Sequence, residues 1–95
     1  MIVYFIQSSA GGPIKIGKST NAKRRLANLQ TAHAERLLLL GTTQIHSEES
    51  LHQRFADLRL SGEWFRCDDR LAAWIWANAV MTPEGRLTLA KFWPT

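Results

Sequence analysis

The chain contains one cysteine, Cys67, so it can form neither an internal disulfide nor a cysteine-based zinc cluster. A reducing, cytoplasmic compartment is the expectation that follows. It has no run of about 20 apolar residues, which excludes a membrane-spanning helix of the usual kind. The apolar start, residues 1–7, has no basic stretch ahead of it and does not read as a secretory signal. There are no internal repeats, no low-complexity segments and no linker long enough to divide the chain into two domains. Tyrosine is scarce, with Tyr4 alone. The most telling absence is of acid. Residues 1–34 hold Lys15, Lys18, Lys23, Arg24 and Arg25 and not one Asp or Glu. All eight acids lie from Glu35 onward, where seven basic residues nearly balance them.

What is present fits one small domain. The 95 residues are 45% hydrophobic and include four Trp and four Phe, enough for a dense core. The net charge of +4 is concentrated in the N-terminal third, a surface suited to a polyanion. The same charge also serves a solvated surface that keeps a small protein soluble.

Residues 2–6, Ile-Val-Tyr-Phe-Ile, read as a strand buried on both faces. Residues 8–13 carry turn chemistry, and Ile14-Lys15-Ile16-Gly17 alternates as a second strand, so the two form an antiparallel hairpin. Ser19, Thr20 and Asn21 are N-cap candidates for a helix from Ala22 to about Ala32. Ala22, Leu26 and Leu29, with His33 next in line, form its apolar stripe; Arg25 lies on the flank of that stripe and Arg24 turns toward solvent. Residues 37–45 read as a third strand, although the run of leucines from Leu37 to Leu40 taken alone also suits a helix. His46 and Ser47 begin a second helix with Leu51, Phe55 and Leu58 inward, which Ser61-Gly62 ends. Glu63-Trp64-Phe65 is a short apolar edge segment, and Asp68 or Asp69 caps a last helix whose face is Leu71, Trp74, Ile75 and Asn78. Pro83-Glu84-Gly85 turns the chain into a tail with Leu87, Leu89, Phe92 and Trp93. The order β-β-α-β-α-(short β)-α predicts an α+β domain over residues 1–80. Its core is a small antiparallel sheet of three strands flanked by helices, and residues 81–95 form a C-terminal tail.

Four residues sit oddly for a purely structural chain. Tyr4 lies mid-strand with the parity of Ile2 and Ile6, where a core aromatic is the ordinary explanation. Lys15 falls between two isoleucines, where a lysine ordinarily points to water. Arg25 has no acid near it in sequence and can reach a cleft as a planar fork for phosphate. Glu48, Leu51, His52 and Phe55 recur at i, i+3, i+4 and i+7, which puts Glu48 beside the buried face while Glu49 turns away. A first-turn acid suits the helix dipole, and a carboxylate at a cleft also suits Mg²⁺. His52 is either a satisfied core histidine or a base or supporting residue. Together these groups are the parts needed to hydrolyse a phosphodiester: a base or oriented water, a cation for the nonbridging oxygens, and a metal for the leaving oxygen.

The ordered set resembles the GIY-YIG nuclease superfamily. It is most similar to the short phage and bacterial branch (phage-T5-ORF and meiotically-up-regulated types). In that branch the second triplet is Lys-Ile-Gly and a later signature is Glu-Trp-Phe. Val3-Tyr4-Phe5 sits where the first triplet ends in Tyr, and Lys15-Ile16-Gly17 sits at the second triplet. Lys23-Arg24-Arg25-Leu26 matches the helix carrying the superfamily's Arg, and Glu48-Glu49-Ser50-Leu51-His52 with Phe55 matches the branch's Glu-x-x-Leu-His-x-x-Phe helix. Residues 58–65 match its closing motif. The one departure is Lys15, which replaces the superfamily's second Tyr, as is usual in the branch.

The resemblance implies a metal-dependent DNA endonuclease. In it Glu48 holds one Mg²⁺ or Mn²⁺, Tyr4 orients the attacking water or takes its proton, and Arg25 stabilises the phosphate with help from Lys15. His52 belongs to the same catalytic set, and Lys15, Lys18, Lys23, Arg24 and Arg25 meet the nucleic acid. A second reading keeps the fold as a nucleic-acid-binding module with weak or no turnover, since phosphate contacts alone give non-specific affinity. A third is a protein-interaction domain. Trp74 and Trp76 cannot share a helix face, and with Phe92 and Trp93 they offer a homodimer seam unless the tail folds back over Trp76. Nothing outside the core reads bases, so sequence specificity would come from a partner, a dimer or DNA shape.

Overall fold

The computed structural model describes residues 1–92, so Trp93 of the expected seam lies outside the described residues. Strands β1 (Ile2–Ser8), β2 (Ile14–Ser19), β3 (Leu37–Thr43), β4 (Arg59–Ser61), β5 (Trp64–Phe65) and β6 (Val80–Met81) form one sheet. Their order is β4-β5-β2-β1-β3-β6, and every neighbouring pair is antiparallel. Helices α1 (Ala22–Gln30), α2 (Glu48–Arg54), α3 (Asp69–Asn78) and α4 (Pro83–Leu89) pack around it.

The expected three-stranded sheet is too small. β2, β1 and β3 occupy its middle, but β5 and β4 extend it on one side and β6 on the other. The added strands have two or three residues each, too few to show an alternating pattern in sequence. Residues 63–65 are therefore not the edge: β5 pairs Ile14 and Lys15 with Phe65 and Trp64, and β4 lies outside it. The second helix also stops short of Leu58. Phe55 leaves helical geometry, and a 3₁₀ turn over Ala56–Leu58 follows, which keeps both Phe55 and Leu58 buried.

A fourth helix stands where a turn and tail were expected. The Thr82 hydroxyl accepts from the Gly85 amide at 2.8 Å and Pro83 opens the first turn, a strong helix start. Gly85 then lies so close to β3 that a Cβ would overlap the Leu40 carbonyl. Leu40 is the extra residue where the β1–β3 register shifts, and Thr82 satisfies the carbonyls there, donating its hydroxyl to Leu39 and its amide to Leu40.

The sheet separates two apolar clusters. On one face Val3, Phe5, Ile16, Leu51, Phe55, Phe65, Leu71, Ile75 and Leu89 form the main core under α2, α3 and α4. Trp74 packs into it against Phe5 and Phe55. Trp76 stays 37% exposed, with the Arg86 guanidinium of α4 over its ring at 5.8 Å. On the other face, among the described residues, α1 alone covers Tyr4, Ile6 and Leu37, burying its own Ala22 and half-burying Leu26 and Leu29. This second face is thin, and the candidate site opens on it.

Candidate active site

The β1–β2 hairpin builds the site through its register. Gly11 and Gly12, both with φ near +90°, close the loop, and Gln7 donates from Nε2 to the Gly12 carbonyl at 2.8 Å. With the loop fixed, Tyr4 stands opposite Gly17 and Ile6 opposite Lys15. Directly opposed residues share a face, so Tyr4, Gly17 and Lys15 all point to the α1 side.

Tyr4 is 1% exposed. Its ring and hydroxyl lie over the bare Cα of Gly17, where a Cβ would overlap both. That close approach is why the strand carries a glycine here. Helix α1 starts at Asn21, whose side chain accepts from the Arg24 amide at 3.1 Å, and this cap sets the rotation of the helix. Arg25 then comes down over Tyr4, and its Nε donates to the phenol oxygen at 3.4 Å, a long bond. That bond, foremost, and more weakly the charge of Glu63, outweigh desolvation and hold the Arg25 guanidinium more firmly protonated than usual. Arg25, Arg24 and Lys23 are all exposed on this helix, and Arg25 is set apart by its bond to Tyr4.

Lys15 does not point to water. It is 9% exposed, its ammonium lies 3.1 Å from Glu63 Oε1, and it sits 5.3 Å from the centre of the Trp64 ring. Trp64 is its cross-strand partner on β5. The structure thus gathers Tyr4, Lys15 and Arg25 on one face and adds Glu63, which sequence reasoning did not single out. The signal was present in the closing motif, but only the β2–β5 pairing shows that Glu63 and Trp64 sit beside Lys15.

Glu48 and His52 reach β2 by another route. Helix α2, capped by Ser47, whose hydroxyl accepts from the Ser50 amide, packs along β2. His52 uses both ring nitrogens: Arg59 can only donate to Nδ1, at 3.1 Å, so Nε2–H donates to the Ile16 carbonyl, at 2.9 Å. The ring also lies 5.0 Å from Phe65. In this geometry His52 fastens α2 to the strand segment next to Gly17. Glu48, one turn earlier, lines a cleft of about 300 Å³ with Lys18, Gln44, His46 and Glu49. Lys18 pairs with Val3 in register, so it leaves β2 on the opposite face from Lys15. No hydrogen bond or ion pair among the described residues joins Glu48 to Tyr4, Lys15 or Arg25.

Glu48 Oε2 is buried and has no hydrogen-bond partner among the described residues. A buried carboxylate oxygen left in this state is costly unless something else engages it. No group of three or more His, Cys, Asp or Glu gathers to hold a metal among those residues. A cation at Glu48 would therefore have at most two such protein ligands and keep most of its water, which suits Mg²⁺ better than zinc.

These features define a small α+β domain with a buried tyrosine, two cations and a lone carboxylate arranged about one hairpin. The T5orf172 domain matches residues 1–80, and the chain belongs to this nuclease-associated family. No curated protein and no solved structure matches the chain. None of the helices among the described residues is long and apolar enough to cross a membrane.

Proposed function

We propose that the chain is a GIY-YIG-type endonuclease that hydrolyses DNA phosphodiester bonds with the help of one divalent cation. The observation that carries this reading is the Tyr4 hydroxyl, buried over Gly17 with Arg25 as its one hydrogen-bond partner among the described residues. A phenol held by an arginine beside a lysine is poorly explained as core packing. It is well explained as a site for an anion with a water next to it.

In this reading Tyr4 orients the attacking water and takes its proton as the phenol's own proton is released to solvent. Arg25 faces the nonbridging oxygens, where charge grows as the new O–P bond forms and the leaving P–O bond breaks. Lys15 adds a second charge, and an incoming phosphate draws it away from Glu63. His52 acts at one remove, by keeping α2 and Glu48 in place along β2. Glu48 would hold Mg²⁺ or Mn²⁺, which supplies positive charge for the departing oxygen. Lys18, Lys23 and Arg24, all exposed, add salt-sensitive contacts to the DNA backbone. Selection of a base sequence falls to a partner, a second copy or DNA shape.

The test is nicking of supercoiled plasmid and cutting of branched DNA with Mg²⁺ or Mn²⁺, with EDTA alongside. The expected result is cleavage that EDTA abolishes. One observation favours the alternative of a binding module without turnover: Lys15 is already neutralised by Glu63. Salt-sensitive gel retardation without cleavage in either metal would establish that alternative.

A further inference from the structure

A cleft of about 310 Å³ lies next to Lys15, between the β1–β2 loop and the segment that follows α1. Its walls include Pro13, His33, Glu35, Leu37 and Trp64. We propose that this cleft receives an unpaired nucleobase of the DNA strand whose phosphate lies at Tyr4, Lys15 and Arg25. The inference rests on the nuclease reading and names a subsite of that same site.

Three observations carry it. The first is the character of the walls. Trp64 and His33 present aromatic rings with centres 5.8 Å apart, and Pro13 and Leu37 add apolar surface. Such surfaces accept the flat face of a base without regard to its identity. The second is charge. Among the described residues the one charged group on the walls is Glu35, so the cleft repels a phosphate and accepts a neutral ring, whose N–H group a carboxylate can engage. The third is continuity. The Lys15 ammonium sits 5.3 Å from the centre of the Trp64 ring, so one side chain borders both the phosphate site and the cleft. A phosphate beside Lys15 thus places its own or the adjacent base at Trp64.

His33 is held for this position. Its Nδ1–H donates to the Leu29 carbonyl at 2.9 Å, which leaves Nε2 as the acceptor of the neutral ring. The cleft also supplies a use for a half-buried tryptophan that the main core does not include. It implies a preference for single-stranded, gapped or branched DNA, since a base stacked inside a duplex cannot enter it.

The experiment measures binding in EDTA, so that cleavage plays no part. Fluorescence anisotropy compares a labelled oligothymidylate with a strand of the same length made of abasic residues. The wild-type protein is expected to hold the oligothymidylate about tenfold more tightly. Trp64→Leu should bring that ratio close to one, and Trp64→Phe should keep most of it. Should Trp64→Leu fail to fold by circular dichroism, His33→Ala, which removes the ring in contact with Trp64, is expected to reduce the ratio. Tight and equal binding of both strands by the wild type overturns the base subsite and leaves the nuclease reading standing. A ratio that survives both Trp64→Leu and His33→Ala also overturns it. Binding of neither strand overturns the nucleic-acid reading, and the subsite with it.

Discussion

Gly17 and Tyr4 depend on each other more closely than any other pair near the site. The tyrosine ring occupies the space that a side chain at residue 17 would fill. Gly17→Ala should therefore push the phenol away from Arg25. A displacement of about 1 Å is worth roughly a hundredfold in rate at a positioned group. Overpacking should also cost about 1–3 kcal/mol of stability. Nicking rates and a thermal melt on the same preparation measure both effects. At Arg25 the account expects Arg25→Ala to reduce nicking by about a hundredfold, in the range of losing one transition-state donor. Arg24→Ala, one residue away and not bonded to Tyr4, should change it only a few-fold through weaker binding. Equal losses in parallel assays would mean that α1 presents a different face to the substrate. His52→Ala should lower stability by about 1–3 kcal/mol, because it leaves the Ile16 carbonyl without its donor. Chemical denaturation of this variant, with nicking followed below its transition, separates a fastening role from a proton-transfer role. Loss of cleavage with unchanged stability would assign His52 to the chemistry. At this scale much was legible. The parity of Tyr4 and the helical position of Arg25 are local properties, and the sequence shows them. Glu63 was not legible, because its meeting with Lys15 is made by a two-residue strand pairing across the chain.

At the scale of elements, the long periodic segments were readable and the short ones were not. β1, β2, β3, α1, α2 and α3 each carry a repeating apolar pattern or a cap of their own. β4, β5 and β6 form because neighbouring strands already offer unpaired backbone groups, a cause that local sequence does not contain. Helix α4 is a different case. Thr82-Pro83 is a good helix start, yet Pro83-Glu84-Gly85 also reads as a turn, and contact with β3 decides between them. Gly85→Ala tests that contact, since the added carbon meets the Leu40 backbone rather than a mobile side chain. The expected cost is about 1–3 kcal/mol by thermal or chemical melting, with nicking unchanged at temperatures where the variant is folded. Loss of nicking from a well-folded Gly85→Ala protein would show that α4 acts on the site as well as on the core.

For the whole molecule, charge and packing are divided between the two faces of the sheet. Among the described residues, three helices bury the main core on one side, and a single short helix leaves the other side shallow enough for Tyr4, Lys15 and Arg25 to meet a ligand. The acid-free N-terminal third supplies that face with Lys15 and Arg25, and Glu48 reaches β2 on a helix fastened by His52. The central claim is that Glu48 is kept for a cation rather than for the fold. Its buried oxygen, without a partner among the described residues, makes a specific demand on one variant, Glu48→Gln. The most direct measurement follows three properties of that protein together: metal-dependent nicking, DNA retention in a gel, and the melting temperature without metal. The account predicts that nicking is lost, that DNA binding is kept or strengthened, and that the melting temperature is unchanged or higher. Wild-type nicking by Glu48→Gln, or loss of activity only in step with a fall in melting temperature, would contradict it.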